Sequence, residues 1–208
     1  MNNKKIFVIG FNKTGTTSFH NLFKKVNIKS IHTGRPVLNY IHKYNAFSDG
    51  YHVNFHKYYN AYPNSLFILN TRPIERWLLS RYKHGAYRNF KPGWCWPVSD
   101  KKTNAWITGR ENHFRNILNF FKDKPNQLFI VNIEKNGWEK EVLQFIKKGG
   151  KNISTVHSNK RTEKVVGNDK IKMIKDNIAK CLKNRGYTGK EILFKDVNLN
   201  DYKYKMFL

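Results

Sequence analysis

The sequence predicts an α/β fold, a three-layer domain with a central parallel sheet flanked by helices. Three features predict it: short unbroken apolar runs, helical segments between those runs, and a glycine-bounded turn after the first of them. Strands that read as continuous apolar runs are buried on both faces, as in a parallel sheet covered by helices. Residues 1–208 are expected to form a single domain, because lengths of roughly 100 to 200 residues enclose one substantial core.

In chain order, Lys5 to Gly10 is the first strand, and residues 11–17 form a turn leading into a helix over Ser18 to Lys25. Ser65 to Asn70 is a second buried strand and Thr71-Arg72-Pro73 its turn. Ile74 to Tyr82 then forms a helix, with Pro73 in its first turn. Gln127 to Asn132 repeats the strand pattern. Within Thr103 to Lys122, Trp106, Phe114, Ile117, Leu118 and Phe121 recur at helical spacing and read as core. Trp138 to Lys147 is a further amphipathic helix. Residues 85–102, with Tyr87, Phe90, Trp94 and Trp96 among glycines and prolines, read as an irregular aromatic insertion. The tail from Gly186 to Leu208 has weak periodicity and receives no assignment.

Lys and Arg number 39 against 14 acidic residues, a net charge of +25. Such an excess suits a polyanionic partner: a nucleic acid, an anionic membrane surface or a phosphorylated small molecule. The mixture of Lys with Asn is equally what a biased base composition produces, so charge alone does not choose. No apolar run approaches the roughly 20 residues of a membrane helix, and the start resembles no secretory signal. A soluble, cytoplasmic protein is expected. Cys95 and Cys181 stand in no ligand-like spacing, so ordinary thiols are expected in place of a disulfide or a zinc site.

The chemistry concentrates in Gly10-Phe-Asn-Lys13-Thr14-Gly15-Thr16-Thr17. Its glycines have the spacing of a nucleotide-triphosphate loop, whose backbone N–H groups at the following helix start cradle a phosphate. The lysine that such loops carry after the second glycine is replaced by Thr16, and a lysine stands earlier, at Lys13. The second strand ends in Asn70, where a magnesium-holding Asp would be expected. A magnesium-dependent kinase or ATPase is therefore disfavoured, and no metal is expected.

Lys13-Thr-Gly-Thr-Thr17 resembles the 5'-phosphosulfate loop of sulfotransferases, enzymes that use 3'-phosphoadenosine 5'-phosphosulfate as sulfuryl donor. Thr71-Arg72-Pro73 through Ser80 is similar to the same family's 3'-phosphate motif, an Arg at a strand end with a Ser eight residues on. The family usually carries Asp or Asn before the proline; here Arg72 is followed directly by Pro73. A later stretch, Leu128 to Trp138 and then His157-Ser-Asn159-Lys160-Arg161, resembles the C-terminal part of one sulfotransferase branch, so the likeness runs over roughly residues 5–165. It implies a P-loop-like fold with the donor across the carboxyl ends of the strands. It also implies a 5'-phosphosulfate held by Lys13, Thr14, Gly15, Thr16 and Thr17, and a 3'-phosphate held by Arg72 and Ser80. Lys160 and Arg161 are either further donor contacts or a solvated charge cluster.

Transfer needs a base for the acceptor proton and a cation for the leaving phosphate oxygen. Lys13 suits the cation. His32 lies where the family often has an acid or His just after the second strand, and an imidazole titrates near neutrality without tuning. Asp49 competes, since a related branch places an Asp before the helix that precedes the 3'-phosphate strand; His52 and His56 are lesser candidates. The acceptor is expected to be a small molecule, carbohydrate or lipid met by the rings around Trp94 and Trp96. The alternatives are a P-loop nucleotide kinase and a non-enzymatic nucleic-acid-binding protein. No recognised nucleic-acid motif supports the latter.

Overall fold

The computed structural model describes residues 4–33, 41–50, 54–85, 89–93, 95–147 and 166–208. The chain is an α/β protein built on a six-stranded, all-parallel sheet flanked by helices. It divides into two compact units, each discontinuous in sequence. One comprises residues 1–71, 120–159 and 200–208, the other residues 72–119 and 160–199.

The first unit holds the whole sheet: β1 (Ile6–Val8), β2 (Ser30–His32), β3 (Ala46–Ser48), β4 (Leu66–Thr71), β5 (Leu128–Asn132) and β6 (Lys205–Phe207). Their order across the sheet is β2-β3-β1-β4-β5-β6. Helices α1 (Thr16–Lys25), α2 (Phe55–Ala61) and α5 (Trp138–Phe145) belong to the same unit. Strand alternation divides the apolar side chains between the two faces. Ile6, Val8, Ala46, Leu66, Ile68, Phe129 and Val131 pack with Phe19, Leu22 and Phe23 of α1 and with Trp138, Val142 and Leu143 of α5. On the other face Phe7 stacks against Phe47 at 5.0 Å, Phe67 at 5.3 Å and Tyr58 of α2 at 5.0 Å. Both faces are covered, which is why these strands read as unbroken apolar runs.

The second unit is helical: α3 (Ile74–Lys83), most of α4 (Asp100–Phe121) and α6 (Asn168–Asn184). A polar chain links the three helices. The Tyr82 hydroxyl lies 2.6 Å from Thr103 Oγ1, which donates to Asn177 Oδ1 at 2.6 Å; Asn177 Nδ2 donates to Asp100 Oδ1 at 2.7 Å. The Arg81 guanidinium stands over the rings of Trp77 at 4.8 Å and Trp106 at 4.3 Å, and burial pulls its pKa down to about 10.

The expected strands and helices appear with shifts of one to three residues at their ends, the largest at the start of α4, which begins at Asp100 where Thr103 was expected. The expected core residues Phe114, Ile117, Leu118 and Phe121 are fully buried, whereas Trp106 is half-buried beside Arg81. Pro73 precedes α3 as its cap residue, with an extended ψ of 136°, and does not lie in the first turn. The tail that had no assignment supplies β6, paired in parallel with β5. Among the described residues no helix is long and apolar enough to cross a membrane. Cys95 and Cys181 are buried free thiols.

Phe7 is fully buried among three aromatic rings on the central strand. Phe7→Ala is expected to cost about 3–5 kcal/mol of unfolding free energy in a urea titration. A loss below about 1 kcal/mol would show that this face collapses around the cavity.

Candidate functional site

The candidate residues of the first unit lie at the carboxyl ends of neighbouring parallel strands. After β1 the chain turns through residues 9–15 into α1 and on to β2 at one edge, while β4 lies on the opposite side of β1. This is the position at which strand order reverses, where open α/β sheets receive ligands.

Pairing of β1 with β4, Val8 opposite Ile68, carries Gly10 alongside Asn70. The Gly10 N–H donates to Asn70 Oδ1 at 2.8 Å. A Cβ on Gly10 would collide with both oxygens of Asn70 and stand 2.8 Å from its Cγ, so only glycine permits the approach. The Asn70 amide donates in turn to the Thr14 carbonyl and to Thr14 Oγ1, both at 2.7 Å, and Thr14 Oγ1 donates to the Phe11 carbonyl. Asn70 and Thr14 are buried, so these bonds form away from competing water.

Lys13 (φ 68°) and Gly15 (φ 82°) adopt left-handed backbone conformations, which tighten the loop. The helix then begins at Thr16, two residues earlier than the apolar pattern suggests, so Thr16 and Thr17 belong to its first turn. That turn contains no acidic side chain, and Gly15 forms no side-chain cap. The first amides of α1 and the positive end of its dipole thus favour an anion at the loop. Trp138 packs on Phe19 at 4.7 Å and backs this helix from within the core.

His32 is the last residue of β2 and so lies within the strand expected to precede it. Its Nε2 lies 3.1 Å from Thr16 Oγ1 and 3.3 Å from Thr17 Oγ1. The β2–β3 register pairs His32 with Ser48, which places Asp49 one residue beyond. Asp49 Oδ2 is 4.0 Å from the same Nε2. The two competing base candidates therefore occupy one place, beside the threonines. Asp49 has a φ of 68°, a conformation that non-glycine residues rarely hold and that recurs at functional sites. His20, which the sequence reading passed over, stands behind them: its Nδ1 is 3.0 Å from Ser30 Oγ, and its ring centroid is 6.0 Å from that of His32. Burial, then the charges of His32 and Lys24, hold the His20 imidazole below its ordinary pKa.

In the second unit, Arg72 immediately precedes the Pro73 cap of α3, and Ser80 lies two turns along that helix. Both are half-buried. The Arg72 backbone is held by Arg110, a fully buried guanidinium whose Nη2 donates to the Arg72 carbonyl at 3.0 Å and also meets the carbonyls of Glu191 and Ile192, while its Nη1 donates to the Leu193 carbonyl. Burial pulls the Arg110 pKa down to about 9. Lys160, Arg161, His52 and Trp94 lie outside the described residues. His56 packs edge-on to Phe120 at 4.4 Å, in the aromatic layer over the sheet. Neither Asn70 nor Arg110 was singled out as a site-shaping residue by the sequence reading, since each acts on backbone distant in sequence.

Compared with models of protein families, the sequence matches none. Nor does any curated protein match it.

The His20–His32 pair is directly measurable. In an NMR pH titration His20 is expected to titrate below 6.5, and His32→Gln is expected to raise its pKa while leaving the burial contribution. Because the unfolded chain then takes up this proton first, His20 should contribute a loss of stability as pH falls through 6.5 toward the lowered value. An ordinary titration of His20 would remove this coupling.

Proposed function

We propose that the protein is a sulfotransferase that moves the sulfuryl group of 3'-phosphoadenosine 5'-phosphosulfate to an acceptor hydroxyl or amine without a metal. The observation that carries this reading is the contact of an imidazole, with a carboxylate beside it, on the threonines of a phosphate-sized loop. An anion cradle and a proton acceptor at hydrogen-bond distance are what such a transfer requires. The motif resemblance supplies the identity of the anion.

In this reading the amides and hydroxyls of residues 14–17 bind the 5'-phosphosulfate, and Arg72 with Ser80 binds the 3'-phosphate, Arg72 as a charged fork. Lys160 and Arg161 are either further donor contacts or a solvated charge cluster, as their sequence alone leaves them. The acceptor oxygen or nitrogen attacks sulfur in line and its proton passes to His32, with Asp49 as the alternative base. The bond from sulfur to the 5'-phosphate oxygen breaks, and Lys13 offsets the charge gathering on that oxygen. Asn70 favours this reading over a nucleotide kinase, because its amide is committed to Gly10 and Thr14 where a kinase would use a carboxylate toward magnesium. Phe90 and Trp96, edge to face at 4.8 Å, are rings suited to a carbohydrate, lipid or other small acceptor.

The bisphosphate product, 3'-phosphoadenosine 5'-phosphate, is expected to raise the melting temperature, and adenosine 5'-phosphate to do so far less. Arg72→Ala and Ser80→Ala should each weaken the bisphosphate while remaining folded. Undiminished affinity in both would remove the 3'-phosphate assignment.

Single-turnover transfer at saturating donor separates the bases. His32→Ala is expected to slow transfer by roughly 10²- to 10⁴-fold with nucleotide binding nearly intact, and Asp49→Asn to slow it less. The reverse order would make Asp49 the base. Activity should survive a chelator of divalent metals, whereas loss on chelation with recovery on magnesium would sink the mechanism.

A further inference from the structure

We propose that Asn70 is a positioning residue for the anion loop, and that the anion affinity of residues 10–17 depends on an amide, and not a carboxylate, at that strand end. The proposal rests on the reading that this loop receives the 5' end of the donor. Its basis is the two-sided bonding of one buried side chain. Oδ1 accepts from Gly10 at the loop's entrance, and Nδ2 donates twice to Thr14, four residues on. One planar group thereby sets the separation of the two sides of the loop, and the absence of a Cβ at Gly10 is what lets the backbone come this close to it.

A carboxylate has the same shape but no donor. At this position it would still accept from Gly10, but its second oxygen would face the Thr14 carbonyl, another acceptor. Thr14 Oγ1 could turn its proton toward that oxygen only by releasing the Phe11 carbonyl. The substitution would also bury a negative charge beneath a loop that is to hold an anion, away from screening water. Both effects act on the loop's anion, and neither acts on a nucleotide's 3'-phosphate or base directly.

The test therefore compares two ligands on each variant. Wild type, Asn70→Asp and Asn70→Ala are titrated calorimetrically with 3'-phosphoadenosine 5'-phosphate and with adenosine 3'-phosphate, which lacks the 5' group. Both variants are expected to lose about tenfold or more in affinity for the first ligand, Asn70→Asp the more, while affinity for the second changes little. Asn70→Ala keeps the comparison open if the buried charge prevents folding. A parallel loss for both ligands would reduce Asn70 to a merely structural residue and overturn the proposal, as would unchanged affinity for the first.

Inorganic pyrophosphate separates this proposal from the assignment of function. Its binding is followed by NMR at the amides of Gly10, Thr16 and Thr17. If wild type binds neither nucleotide yet its loop amides shift with pyrophosphate and those of the variants do not, the sulfuryl-donor reading fails and the Asn70 role stands. If the wild-type amides do not respond, the loop receives no such anion and the proposal falls.

Discussion

The parallel pairing of β1 with β4 is the constraint on which the candidate site depends. Its register, Ile6 opposite Leu66 through Val8 opposite Ile68, leaves Gly10 beside Asn70 as the strands end. From that contact the loop closes back to Thr14, turns left-handed at Lys13 and Gly15 and releases the chain into α1. A shift in register would break the Gly10 bond and present the opposite face of β1 to the α1 side of the core. The aromatic layer around Phe7 and the largely aliphatic strand residues beneath α1, Ile6, Val8, Leu66 and Ile68 among them, both resist such a slip, because β1 and β4 send differently shaped side chains to their two faces.

Electrostatics then sort the groups that the sheet brings together. The loop offers helix amides and Lys13, while Asp49 places a carboxylate within 4.0 Å of His32 on the adjoining strands. Burial, and then the neighbouring His32, discourage a proton on His20, so positive charge is limited on that imidazole. The second unit handles charge differently. It buries Arg110 with both terminal nitrogens on backbone carbonyls, which holds the irregular segment around Ile192 without a regular element.

Much of the fold was legible because its signals are local. Unbroken apolar runs identify strands covered on both faces, and the periodic residues of α4 identify a helix, with four of five expected core positions fully buried. The tail was illegible for the converse reason. Residues 205–207 alternate too briefly to signal a strand, and they become one by adding to the edge of β5. Likewise α6 has an apolar stripe, Ile174, Ile178, Cys181 and Leu182, diluted by so many lysines and asparagines that it gives only a weak periodic signal.

The same division holds at the site. The sequence by itself determined the loop's composition, the glycine spacing and the Arg72-to-Ser80 interval, since each depends on residues close along the chain. Only the tertiary structure decided that Asn70 closes the loop, that His32 and Asp49 stand together, and that Thr16 and Thr17 lie against that imidazole. These juxtapositions join residues 15 to 60 positions apart, and they follow from strand order and register, which no local pattern encodes.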